Sequence, residues 1–164
     1  MKVIYLDQNH WIELSRAAHG QASRTETLSV LDTLCKARVS GRASLPLSLA
    51  HYIETLKQQT PNRRTRLATL MLELSGGMTV ASLQMVVRHE IEVALQRCFP
   101  SRVVLEPFEF LGSGLRHTAG KNFGFRLEWP LEANDIPAPQ RTAFERLVLA
   151  MAEHSLLSGV LPTG

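Results

Sequence analysis

The run Val3-Ile4-Tyr5-Leu6, followed at once by Asp7-Gln8-Asn9, constrains this chain more than any other feature. Four consecutive β-branched, aromatic or apolar residues without alternation read as a short strand buried on both faces, the pattern of a parallel sheet. Asp7-Gln8-Asn9 breaks the strand, and Trp11, Ile12, Leu14 and Ser15 continue at helical spacing, with Asp7 or Asn9 able to cap the exposed N–H groups. In open α/β sheets ligands bind beyond the carboxyl ends of strands, so Asp7 is the first candidate functional residue.

The same logic carries through the next ninety residues. Leu28, Leu31, Leu34 and Cys35 share a helix face that Gly41 terminates, and Ala43 to Leu47 read as a second strand. Ser48 is positioned to cap a helix with the apolar stripe Leu49, Tyr52, Ile53 and Leu56. Thr60-Pro61 opens a helix bearing Leu67, Leu70, Met71 and Leu74, ended by Gly76-Gly77. After Met78-Thr79-Val80, Ser82 starts a helix with Leu83, Val86, Val87, Ile91 and Ala94 on one side.

From residue 99 to residue 139 prolines and glycines alternate, which reads as an irregular insertion without helices, with strands only at Val103–Leu105 and Phe123–Trp129. A last helix carries Phe144, Leu147, Val148 and Met151. Strands feeding helices predict an α/β fold, a small parallel sheet flanked by helices, in one domain spanning residues 1–164. A domain completed by residues beyond Gly164 is the alternative.

Composition bounds the function. A formal charge of +3 permits RNA as a partner without demanding it. Cys35 and Cys98 offer no CxxC spacing, so neither a disulfide framework nor a thiolate zinc site is readable. Asp7 closes the only apolar run at the N-terminus, and no run approaches the roughly 20 apolar residues of a bilayer span, so a soluble, cytoplasmic protein is expected.

The segment VIYLDQNHWIEL, residues 3 to 14, resembles the LDTN-type opening of PIN-domain nucleases. Asp7 and Asn9 match that motif, whereas Gln8 stands where Thr or Ser is commoner. The resemblance implies a PIN-like three-layer arrangement and three or four acids around Mg²⁺ or Mn²⁺, activating water to hydrolyse RNA phosphodiesters. It also implies a toxin or defence role, an antitoxin or other protein partner, and homodimerisation. Within it, Asp7, Glu54 and Glu90 are the expected metal-holding catalytic acids and Asn9 orients the site. Glu54 lies in ASLPLSLAHYIETLK, in the order expected for a second acid. Glu90 sits about 50° from the centre of the Leu83–Leu95 apolar stripe, where a carboxylate needs a cation, a proton or a hydrogen bond. The remaining aspartates are Asp32, read as surface, and Asp135, in the proline-rich stretch. The family's later Asp-bearing motifs are not recognisable, so the alternative is a catalytically inactive PIN-like module that binds a protein or nucleic acid.

Other signals are weaker. The six histidines show no HExxH spacing, and only His10 and His51, near the proposed acids, could contact a phosphate or position water. Gly114 to Asn122 is not a Walker loop, since Asn stands where Ser or Thr should bind Mg²⁺. Arg63 and Arg64, at a helix start, and Arg116 and Lys121 are the candidate nucleic-acid contacts.

Overall fold

The computed structural model describes residues 1–21, 24–120 and 137–158. Lys121, Asp135 and the strand expected at Phe123–Trp129 lie outside the described residues.

Strand β1 (Lys2–Val3) pairs in parallel with β2 (Ala43–Ser44), with Lys2 opposite Ala43 and Val3 opposite Ser44. The Lys2 N–H donates to Arg42 O (2.8 Å) and the Ile4 N–H to Ser44 O (2.9 Å). Beyond β2 the chain runs on to Leu47, which bridges in parallel to Thr79 of β3 (Met78–Val80). β4 (Leu111–Ser113) pairs antiparallel with β3. The fold is therefore mixed α/β and mostly helical, around a small parallel pair.

The first strand departs from its expected burial. Val3 is 50% and Tyr5 56% exposed, whereas Leu45 and Leu47 are fully buried. The apolar run at the N-terminus sits at an edge, and the second strand segment takes the interior position.

Seven helices surround these strands among the described residues: α1 (Gln8–Ala18), α2 (Glu26–Val39), α3 (Leu49–Leu56), α4 (Pro61–Ser75), α5 (Leu83–Cys98), α6 (Gly114–Ala119) and α7 (Ala138–Ser158). α1 buries Trp11, Leu14, Ser15 and Ala17, spaced as one helical face. α4 lies at the centre and supplies Leu67, Ala68, Leu70, Met71 and Leu74 to the core, packing against α1, α2, α3 and α7. Pro61 occupies its first turn, where a missing N–H costs nothing, and Gly76 ends it at φ 62°. A Cβ at Gly76 would lie 2.8 Å from the Arg38 guanidinium.

Two elements fall inside the stretch whose composition reads as irregular. The expected strand Val103–Leu105 does not form, and β4 and helix α6 stand a few residues later. Gly112 is what permits this: a Cβ there would lie 2.2 Å from the His117 ring, so only glycine lets the imidazole lie across β4. His117 is thereby structural, with Nδ1 2.9 Å from Thr79 Oγ1 and Nε2 3.0 Å from Glu109 O.

The buried faces of α3 and α7 are rotated from the expected ones, and α5 has none. α3 buries His51, Tyr52 and Thr55 and leaves Ile53 and Leu56 exposed. α7 exposes Phe144, Leu147 and Met151 while burying Glu153 and Leu157. α5 buries nothing: Leu83, Val87, Ile91 and Leu95 are all exposed, and His89 stacks on Phe108 at 4.5 Å. No helix among the described residues is long and apolar enough to cross a membrane.

Candidate functional site

Asp7 follows the β1 segment and is the N-cap of α1, in extended conformation. Its Oδ1 accepts the His10 N–H (3.0 Å) and lies 2.8 Å from His10 Nδ1. These bonds from His10, aided by the Asn9 N–H, hold the carboxyl below its usual pKa despite some desolvation, so Asp7 is an anion at neutral pH. The side chain is 59% exposed. Capping and exposure together leave a carboxylate at the carboxyl end of a parallel strand, open to solvent.

His51 ties this end of the sheet to α3. A backbone N–H can only donate, so the Ser48 N–H donates to His51 Nδ1 (2.9 Å) and the ring proton sits on Nε2, which donates to Leu6 O (2.8 Å). The imidazole is packed between Tyr5, at 5.1 Å between centroids, and the edge of Trp11, at 6.3 Å. Burial pushes its pKa down, with partial opposition from the bond to Leu6 O and from the carboxylates of Glu54 and Asp7. Both acids thus act on one buried ring from two different elements. Glu54 is exposed, as its position outside the apolar stripe predicts.

Further bonds lock the same corner. Gln8 Nε2 donates to Thr55 Oγ1 (3.1 Å), so the residue that departs from the LDTN pattern joins α1 to α3 directly. Tyr5 Oη and Ser48 Oγ lie 3.0 Å apart. Asn9 is exposed in the first turn of α1, beside Asp7. The positioning role of His51 has a legible signal: Ser48 and His51 stand at the cap-to-N3 offset of a capping box, with His in place of Glu or Gln.

Other candidates lie elsewhere. Glu90 sits in the middle of α5, exposed, on a helix with no buried face, so the burial argument for it does not hold. Among the described residues, no group of three or more His, Cys, Asp or Glu side chains is gathered so as to hold one metal ion. Asp32 is paired with Lys36 (2.5 Å) at the surface. Arg64 is committed to the fold, its Nε donating to Ser158 O (3.3 Å). Arg63 is exposed at the start of α4. Arg116 borders a recess of about 790 Å³ shared with Glu153 and His154. Glu153 at its wall accepts a hydrogen bond from the Tyr52 hydroxyl, and burial raises the Glu153 pKa. Composition gives no sign of that buried acid, because Glu153 lies on a helix whose apolar face the sequence reads as turned the other way.

No family model, curated protein or solved structure matches this chain.

Proposed function

We propose that this chain is a PIN-like, metal-dependent ribonuclease, with Asp7 and Glu54 as the residues that hold Mg²⁺ or Mn²⁺ at the carboxyl end of β1. One observation carries the reading: an ionised, solvent-facing Asp7 caps α1 beside a buried His51 that also feels Glu54. Two carboxylates suit such an ion, because Mg²⁺ keeps several waters and takes one or two protein carboxylates plus substrate phosphates. The ion would supply Lewis-acid polarisation of a phosphoryl oxygen and a more acidic water. Asp7 and Glu54 would fix its position, Asn9 would orient the site, and neutral His51 would keep the strand end and α3 in register. Glu90, on α5, is not required by this reading.

The test is cleavage of a labelled single-stranded RNA with Mn²⁺. Asp7→Asn keeps a good cap residue and so the fold, and its cleavage should fall by orders of magnitude. Cleavage equal to that of the parent would remove Asp7 from the reaction.

A second reading is a PIN-like module without activity that docks a protein partner. The exposed apolar row Leu83, Val87, Ile91 and Leu95 on α5 favours it. Under this reading the parent protein neither cleaves RNA nor takes up Mn²⁺.

A further inference from the structure

α1 and α3, the helices at whose starts or faces Asp7 and Glu54 stand, both lead toward a small recess of about 150 Å³ on the surface of α4. Arg16 and His19 approach it from the end of α1, Gln58 from just after α3, and Arg63 and Arg66 from the first two turns of α4. None of the described residues lining it is acidic. Arg16 is already paired with Glu13, its Nη1 lying 2.6 Å from Glu13 Oε1. Among the described residues no ion pair engages Arg63 or Arg66, so these two supply most of the positive charge at the recess. His19 is fixed by Nδ1 donating to Ser15 O (2.8 Å), so in the neutral ring Nε2 is an acceptor and His19 shapes the recess without donating to an anion.

Planar guanidinium groups from separate turns, a polar amide and no carboxylate are the chemistry of a phosphate seat. We infer that this recess binds a backbone phosphate of single-stranded RNA, held by Arg63 and Arg66 with Arg16 assisting. The inference deepens the nuclease reading and rests on it for the choice of RNA. Arg16 follows Asp7 by nine positions on α1, about 13 Å along the helix axis at roughly 1.5 Å per residue. A single strand extended along α1 spans that separation within a few nucleotides, which places the seat beside the cleavage position rather than on it. The recess also sorts the basic residues: Arg63 belongs to it, whereas Arg64 is spent on Ser158 O.

The test is fluorescence anisotropy of a labelled 12-nucleotide single-stranded RNA across a potassium chloride series, with EDTA present so that cleavage cannot intervene. The double substitution Arg63→Ala/Arg66→Ala should weaken binding on the order of tenfold. It should also flatten the plot of log K against log salt by about 0.7, the value for one phosphate contact on a single strand. Arg97→Ala, on exposed α5, is the control and should leave both quantities unchanged, and circular dichroism checks that each variant is folded. An unchanged slope in the double variant, or an equal loss in Arg97→Ala, overturns the assignment. Calorimetry with inorganic phosphate separates the sources: uptake of phosphate without any RNA binding refutes the RNA assignment. Arginine-dependent RNA binding in a protein that never cleaves leaves the seat standing and defeats the nuclease reading alone.

Discussion

Replacing His51 by Ala should be among the most damaging single changes in this protein. The ring is 2% exposed and closes two hydrogen bonds at once, to Leu6 O and from the Ser48 N–H. Removing it strands two partly buried backbone groups at about 1–1.5 kcal/mol each, toward the low end of the range for an unsatisfied partner. The contact with Trp11 and Tyr5 is lost as well, adding about 1–2 kcal/mol for a cavity of this size. The sum is about 3–5 kcal/mol, a large share of the roughly 5–15 kcal/mol that ordinarily holds a domain together. With m near 2 kcal/mol/M, the urea midpoint should fall by about 2 M at pH 7.5. Acid gives a second signature. Burial holds the native ring's pKa below 6.5, so the native state resists a proton that the unfolded chain accepts. The stability supplied by the neutral ring is complete above pH 6.5 and is lost as pH falls toward the lower native value. The gap between parent and His51→Ala must therefore narrow as pH drops from 7 to 5, measured by urea titration at each pH. A midpoint shift below about 0.5 M, or a gap that stays constant with pH, would refute the role given to this ring.

Glu153→Gln should reverse that pH trend. Burial raises the Glu153 pKa above 4.5, so its contribution is complete below pH 4.5 and is lost as pH rises through the native value, whereas Gln cannot ionise. Urea midpoints should favour the variant at pH 8 more than at pH 4; parallel pH profiles would contradict this. Gly76→Ala forces φ 62° on a residue with a Cβ aimed at the Arg38 guanidinium. It should cost about 1–2 kcal/mol by thermal unfolding, and a neutral result would show that α4 can end otherwise.

Local chemistry was legible wherever a single residue type decides a conformation. Asp7 as a cap, Ser48 and Ser82 at helix starts, Pro61 in a first turn and Gly76 as a stop all stand where their backbone preferences put them. Helical periodicity gave elements but not always faces. The stripe on α5 has the right period, yet the helix buries no residue, and periodicity cannot distinguish a face packed on a core from one left open. The apolar stripe on α3 points to the wrong face because His51 and Thr55 are polar by type. Both are buried, for each has hydrogen-bond partners that a hydropathy pattern cannot see. The same blindness hid Glu153. β4 and α6 were obscured by the Gly and Pro around them: Gly112 reads as a breaker in sequence, whereas in space it makes room for His117.

Within the site, Asp7 was readable because strand, cap and acid coincide in seven residues. Glu54 and His51 depend on the turn of α3 against β1, which no local pattern specifies. The case for Glu90 rests on a burial that depends on what α5 packs against, and the helix buries no residue.

The most direct test of the central claim is calorimetric titration of Mn²⁺ into the parent protein, Asp7→Asn and Glu54→Gln, all at pH 7.5. If the two carboxylates hold one ion, the parent binds close to one equivalent, and each single substitution weakens that binding at least tenfold while the melting temperature of the metal-free protein barely moves. Saturable binding that survives both substitutions, or no binding by the parent at millimolar Mn²⁺, would contradict it.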